Sequence, residues 1–239
     1  GLAPCIQEAI DNACDHCKLG YIPEPWKQRV AAACAGWQRS HYGWDVDPSI
    51  IRVVPDVLEA YEIFLRELVG AGNSVIVPTP AYMPFLSVPK LYDVDVIEIE
   101  MLQSGDAETG EAQWVFDFDA IERAFAAGCH AFVLCNPHNP IGKVLTLEEE
   151  LRLSDLAAQY DVRIFNDEIH APFVFEGKHI PFPTISEQAA LQSMTATSAS
   201  KSFNIPGTKC AQVLLTNPAD RDMWAVKAEW SEHQTATIG

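Results

Sequence analysis

The chain has 239 residues, of which 48% are hydrophobic and 21% are charged, and its formal net charge is −17. A chain of this length and composition can bury a sizeable core. The strong negative charge argues against nucleic acid or an anionic membrane as a partner. The sequence has neither an apolar run of transmembrane length nor the pattern of a signal peptide, so we predict a soluble, cytoplasmic protein.

The hydrophobic periodicity predicts two helices, over residues 3–17 and 26–41, at the start of the chain. A short strand over 49–53 precedes a helix that begins at 55 or 56 and ends near 69. The remaining predicted strands cover 74–77, 94–99, 131–135, 162–165, 193–197 and 211–215, and the remaining helices cover 82–91, 118–127, 147–160 and a segment from about 218. Short apolar strands that alternate with amphipathic helices predict a three-layer α/β/α fold with a mainly parallel sheet.

We expect an N-terminal helical segment, residues 1–45, that leads into one large domain, residues 46–239. Polar or Gly/Pro-containing segments follow the ends of five predicted strands, at 53–56, 78–82, 136–142, 166–170 and 198–201. In open α/β sheets ligands bind beyond the carboxyl ends of the strands. The sequence contains neither the GxGxxG motif of Rossmann dinucleotide-binding sites nor the GxxxxGK[ST] motif of P-loop nucleotide-binding sites.

Seven cysteines, an odd number, indicate reduced intracellular thiols. Cys14 and Cys17 have the CxxC spacing of a metal site, but no second CxxC or HxxxH pair completes four ligands. Helical spacing on a packed face is the alternative interpretation, and it is the one we favour. We therefore predict no metal site.

Lys201 lies in a run of small hydroxyl residues, Thr197-Ser198-Ala199-Ser200-Lys201-Ser202, after an apolar stretch. A lysine held at a sheet edge can lose its proton and condense with an aldehyde. A pyridine-aldehyde cofactor would also need an acid at its ring nitrogen, a donor to its ring hydroxyl, a flat contact with the ring and donors for its phosphate.

Candidates for these functions follow other strands. Asp167 comes after the predicted strand 162–165 and can keep a pyridinium protonated, although a helix N-cap or a salt bridge explains an isolated aspartate better. Asp167-Glu168-Ile169-His170 also contains metal-ligand types, without a further His or Cys cluster. Asn139, between two prolines, can donate to a ligand oxygen or merely shape a turn. Tyr82 can lie flat on a ring or pack in the core.

Together these motifs resemble those of a known family. Pro80-Ala81-Tyr82, the segment 135–143, Asp167-Glu168-Ile169-His170 and the segment 198–206 stand in the order typical of fold-type-I enzymes that depend on pyridoxal 5'-phosphate (PLP), the aspartate aminotransferase superfamily. More narrowly, the chain resembles the cystathionine β-lyase-like C–S lyases of the class I/II aminotransferase group. The resemblance implies the large domain of a PLP-dependent transferase.

The resemblance also implies a function for each matching residue at the cofactor ring. Lys201 would bind the cofactor's aldehyde and move the substrate's α-proton. Asp167 would pair with the ring nitrogen, Asn139 would hydrogen-bond the ring hydroxyl, and Tyr82 would stack on the ring. His170 stands where transaminases usually carry a tyrosine near that hydroxyl.

For the phosphate, the resemblance implies contacts from Ser198, Lys209 and the backbone amides of Asp56 and Val57 at a helix start. Lys209 replaces the arginine of many relatives and offers a point charge instead of a bidentate fork. An acid beside a phosphate is unfavourable unless Asp56 turns away, for example to cap the helix. Tyr21, in Leu19-Gly20-Tyr21, matches a tyrosine that reaches the neighbouring subunit's phosphate, which implies a homodimer with shared active sites.

Compared with the family, the chain starts after an N-terminal segment and stops before the small C-terminal domain, so we expect a fragment of a longer protein. The leading hypothesis is a PLP-dependent carbon–sulfur β-lyase that acts on L-cystathionine or related cysteine S-conjugates. A PLP-dependent aminotransferase is the closest rival. The third possibility is a non-catalytic binding or regulatory module that keeps the fold.

Overall fold

The structure is a computed structural model that describes residues 1–16, 20–105 and 113–235. In these residues nine strands form a seven-stranded sheet and a separate two-stranded sheet. The strands are β1 (Ile51–Val54), β2 (Ser74–Thr79), β3 (Asp95–Glu100), β4 (Leu102–Ser104), β5 (Gln113–Val115), β6 (Ala131–Cys135), β7 (Arg163–Asp167), β8 (Ser193–Thr197) and β9 (Ala211–Leu214).

The large sheet has the order β1-β9-β8-β7-β6-β2-β3. Strand β9 pairs antiparallel with both of its neighbours, and the other pairs are parallel. The prediction of a mainly parallel sheet is therefore confirmed. Because β9 runs against the rest, its first residues lie at the edge where β1, β2, β6, β7 and β8 end.

The described part of the chain contains eight α-helices. They are α1 (Pro4–Asp15), α2 (Glu24–Trp37), α3 (Val57–Phe64), α4 (Met83–Ser87), α5 (Phe118–Ala126), α6 (Leu147–Gln159), α7 (Glu187–Gln192) and α8 (Pro218–Lys227). Wider helical turns, Gln38–Tyr42 and Leu65–Val69, extend α2 and α3. None of the described helices is long and apolar enough to cross a membrane.

Helices cover both faces of the sheet, which confirms the three layers. Alternate residues of β6 point to the two opposite faces of the sheet. On one face Val133 packs with Phe64 of α3 and Trp224 of α8. On the other face Phe132 packs with Phe125 of α5, in a core to which α6 and α7 also contribute. The first helices join this fold through α2, which packs against β1 and β9.

Side-chain caps explain where the helices begin. Thr146 and Glu149 form a reciprocal capping box at the start of α6, and Asp117 caps α5 through the backbone N–H of Ala120. Asp56 caps α3 by accepting a hydrogen bond from Glu59 N at 2.9 Å. Asp56 therefore caps this helix, but it does not turn away from the strand ends, because its Oδ2 lies 2.6 Å from Lys209 Nζ.

The sequence prediction missed three short elements: α7 and the two strands of the small sheet. Strands β4 and β5 have three residues each, too few for an alternating pattern to be recognised. Helix α7 has six residues, and its cap at Ser186 was the available signal. Cys17 and Leu19, which belong to two of the predicted motifs, lie outside the described residues.

Candidate active site

A cavity of about 360 Å³ lies where β1, β2, β6, β7 and β8 end and β9 begins. The predicted site residues found in its lining are Asp56, Val57, Tyr82, Asn139, Asp167, His170, Ser198, Lys201 and Lys209. Since parallel strands end at one edge of a sheet, residues far apart in sequence meet here. We call this space the strand-end cavity.

Asp167 is the last residue of β7 and lies deep in the strand-end cavity, with 4% of its surface exposed. In the sheet it stands between Cys135 of β6 and Ala196 of β8. Its Oδ1 accepts a hydrogen bond from Ile169 N at 3.0 Å. Among the described residues it caps no helix and forms no ion pair, so neither of the ordinary explanations for this aspartate applies.

The electrostatics of Asp167 follow from its position. Burial raises the pKa of the Asp167 carboxyl to about 7, partly offset by the Ile169 hydrogen bond and by the charge of Lys201. Such a carboxyl is poised to pair with a cationic N–H donor that enters the cavity. A protonated pyridine nitrogen is a donor of this kind.

Lys201 lies in an exposed turn after β8, and its side chain lines the cavity. His170 and Asn139 are half-buried, and the Tyr82 side chain is 38% exposed, with its ring edge-on to Phe85 at 5.6 Å. Burial and the nearby charge of Lys201 lower the pKa of His170. His170 is therefore neutral at pH 7 and can act either as donor or as acceptor.

The other end of the cavity holds Ser198, Lys209 and the first turn of α3. Ser198 Oγ donates to Cys210 O at 2.9 Å and accepts from Ser200 N at 3.0 Å. Lys209 Nζ lies 2.6 Å from Asp56 Oδ2. Burial opposes ionisation of Asp56, but the hydrogen bonds from Lys209 and Glu59 outweigh it and lower the pKa of this carboxyl. This end offers one cation and a helix N-terminus to an anion, with one carboxylate in competition.

Tyr21 is the one predicted site residue that does not line the cavity. Its side chain is 84% exposed. The prediction for Tyr21 concerns the cavity of a second subunit, so it stays a prediction.

The lining also contains eight residues that are not among the predicted site residues: Pro55, Leu58, Phe85, Cys135, Ile169, Ser200, Pro206 and Cys210. Five of these, Pro55, Cys135, Ile169, Ser200 and Pro206, lie inside segments that the sequence analysis singled out. In the described part of the chain, no group of three His, Cys, Asp or Glu residues has the arrangement of a metal site.

Comparison with known proteins agrees with this geometry. The sequence model described as "Aminotransferase class I and II" matches residues 7–235. The chain belongs to the class I and II aminotransferase family.

The relatives of this chain within the family include both lyases and transaminases. Cystathionine beta-lyase of Corynebacterium glutamicum is 36% identical over 239 residues, which are 100% of this chain and 61% of that protein. The structure of cystalysin from Treponema denticola, which contains PLP, superposes with a TM-score of 0.86 at 27% identity, over 100% of this chain and 61% of that one. N-Succinyldiaminopimelate aminotransferase from Mycobacterium tuberculosis superposes with a TM-score of 0.86 at 25% identity, over 99% and 60%. The chain thus spans about 60% of the length of these relatives.

Proposed function

We propose that this chain is the cofactor-binding part of a PLP-dependent carbon–sulfur β-lyase. The substrate would be L-cystathionine or a related cysteine S-conjugate, and the products a thiol, pyruvate and ammonia. The observation that carries the proposal is the convergence of Lys201, Asp167 and Asn139 on one cavity. The cystathionine β-lyase of Corynebacterium glutamicum, 36% identical over the whole chain, supports the lyase over other PLP reactions.

The cavity residues fit PLP. Asp167 would pair with the ring nitrogen, Asn139 and His170 would lie near the ring hydroxyl, and Tyr82 would cover a ring face. Ser198, Lys209 and the backbone amides of Asp56 and Val57 would hold the phosphate. Lys201 would bind the aldehyde covalently.

When bound, PLP supplies an electron-poor ring that stabilises negative charge at the substrate's Cα. Asp167 would keep that ring protonated, since its buried carboxylate is more stable beside a cation. Once the substrate's amino group has replaced it on the aldehyde carbon, Lys201 Nζ would be free to take the proton from Cα, and the thiolate would leave from Cβ and be protonated. Water releases the remaining three-carbon unit as pyruvate and ammonia, which completes the balance of a β-elimination.

We further propose that the protein is a cytoplasmic homodimer. Tyr21, exposed in one chain, would reach the phosphate of the partner's cofactor. The six described cysteines are free thiols, which suits a reducing compartment. If Tyr21 acts in this way, Tyr21→Phe should weaken PLP binding without changing the dimer measured by sedimentation.

The proposal is tested by spectroscopy and product analysis of the purified protein carrying this chain. Added PLP should give a visible absorption band at roughly 420 nm, which Lys201→Ala abolishes. L-cystathionine should then yield pyruvate and free thiol without a keto acid. Absence of the band in the wild-type protein would exclude every PLP function.

An aminotransferase is the second candidate, because the chain belongs to the aminotransferase family and resembles N-succinyldiaminopimelate aminotransferase in fold. Amino transfer that depends on an added keto acid, without pyruvate or thiol, would favour it over the lyase. If PLP binds but no amino acid changes its spectrum, the chain is a non-catalytic binding module.

A further inference from the structure

His138 is a buried histidine next to the strand-end cavity, although it does not line it. Its side chain is 3% exposed, and its Nε2 lies 2.9 Å from Pro80 O. A carbonyl oxygen can only accept, so Nε2 carries the hydrogen and donates it. The Nε2 hydrogen bond of the imidazole is therefore directed to the backbone of a distant turn.

The bond joins the two turns that carry Tyr82 and Asn139. Pro80 precedes Tyr82 by two residues in the turn after β2, and His138 directly precedes Asn139 in the turn after β6. Each turn thus holds one of the side chains that would contact the cofactor ring. It is the one side-chain hydrogen bond between these turns, both of which lie in the described part of the chain.

In the described residues no backbone hydrogen bond joins the two turns directly. Strands β2 and β6 are neighbours, but their ladder is centred on Ile76 and Phe132, well before either turn. Beyond that point each strand leads into its own turn. The imidazole of His138 spans the gap that remains.

Within its own turn, His138 is held firmly. His138 N donates to Lys143 O, and Gly142 N donates to His138 O, both at 2.7 Å. Because these bonds fix the backbone on either side of Asn139, the Asn139 amide and the His138 ring move together. A shift of the Pro80 carbonyl relative to His138 is therefore also a shift of Tyr82 relative to Asn139.

We propose that His138 is a positioning residue that sets the spacing between the Tyr82 ring and the Asn139 amide, and so orients the pyridine ring of PLP. This inference rests on the proposed PLP binding. It differs from that proposal by assigning a function to a side chain that does not line the strand-end cavity.

Two amide variants of different reach test the inference. In His138→Gln the amide nitrogen can occupy the place of the imidazole Nε2 and donate to Pro80 O, whereas the shorter side chain in His138→Asn cannot reach it. His130 is the matched control, because its Nδ1 also lies 3.0 Å from a backbone carbonyl, that of Tyr160, at the other end of β6. His130→Asn should behave as the wild type.

The readouts are the dissociation constant of PLP and the visible circular dichroism of the bound cofactor. We expect His138→Asn to weaken PLP binding about fivefold, as for one lost hydrogen bond, and to reduce or invert the cofactor's ellipticity. His138→Gln should restore both to within about twofold. In a Tyr82→Ala background, the effect of His138→Asn on binding should largely vanish, since the ring contact that it positions is gone.

Three outcomes would overturn the inference. The first is that both variants bind PLP and show ellipticity as the wild type does, and the second is that His138→Gln loses as much as His138→Asn. The third is that the effects of His138→Asn and Tyr82→Ala on PLP binding are fully additive. If His138→Asn does not fold, His138→Phe, which fills a similar space without a hydrogen-bond donor, takes its place in the same comparisons with His138→Gln and Tyr82→Ala. A wild-type protein that binds no PLP would refute the proposed function itself, which the first titration reveals.

Discussion

Asp56 Oδ2 lies 2.6 Å from Lys209 Nζ, although 153 positions separate the two residues. The contact joins the start of α3 to the start of β9 at the end of the strand-end cavity where Ser198 also lies. The same carboxylate caps α3 through Glu59 N. Asp56 therefore stabilises the start of α3, and it also forms an ion pair with Lys209, the cation that would bind a phosphate here.

The first prediction separates these two effects of Asp56. Asparagine caps helices about as well as aspartate but does not carry a negative charge, so Asp56→Asn should tighten PLP binding several-fold with little change in stability. Asp56→Ala should lower the free energy of unfolding by about 1 kcal/mol because the cap is lost. PLP titration and urea unfolding measure the two effects.

Asp47 provides the control for Asp56, because it caps a helical turn by accepting from Ser49 N at 2.8 Å and lies outside the strand-end cavity. Asp47→Asn should leave PLP affinity unchanged. Weaker PLP binding in Asp56→Asn would mean that Asp56 holds Lys209 in its binding position instead of competing with the phosphate.

The second prediction concerns the pH dependence of stability in the PLP-free protein. Burial raises the pKa of Asp167 from its ordinary 3.8 to about 7, so between these pH values the unfolded chain has lost a proton that the folded protein keeps. The stability contributed by Asp167 is therefore complete below pH 3.8 and is lost as the pH rises through 7. Asp167→Asn should be more stable than the wild type at pH 8, by about 1 to 4 kcal/mol, and this advantage should shrink towards pH 4.

Urea unfolding at pH 4, 5 and 8 checks this difference. Burial, and to a lesser extent Glu168, raise the pKa of Glu150 to about 8, but both proteins keep Glu150, so the comparison isolates Asp167. Asp155→Asn, on an exposed position of α6, is the matched control and should follow the wild type. An advantage of Asp167→Asn that does not change with pH would contradict the assignment.

The sequence predicted the positions of the polar residues at the strand ends better than it predicted their contacts. Strand order is a long-range property, and the antiparallel β9 that brings Lys209 to the site leaves no local pattern in the chain. The helix cap by Asp56 could be predicted from the sequence because capping is local. The ion pair between Asp56 and Lys209 and the hydrogen bond from His138 to Pro80 depend on tertiary packing, so they could not be predicted from the sequence.

The third prediction tests whether Tyr82 acts through its ring. Tyr82 is 38% exposed and lines the strand-end cavity, with its ring nearly perpendicular to that of Phe85, so part of its surface is available to a ligand. Tyr82→Phe should keep PLP affinity within about twofold, whereas Tyr82→Ala should weaken it roughly three- to tenfold, as for one lost aromatic pair. Equal losses in the two variants would instead indicate that the hydroxyl makes the contact.

The fourth prediction concerns the two nucleophiles of the strand-end cavity, Lys201 and Cys135, since either could attack an aldehyde. Burial, together with the charge of Asp167, raises the pKa of the Cys135 thiol well above its ordinary value. A thiol reacts as its thiolate, so Cys135 should be inert at pH 7.5 and the aldehyde should be left to Lys201. Brief iodoacetamide treatment of the folded protein should therefore label the exposed Cys5 and Cys14 and spare Cys135 until urea is added. Labelling of Cys135 in the folded protein at the rate of Cys5 would show that the cavity does not suppress its thiolate, and the selectivity for Lys201 would then need another cause.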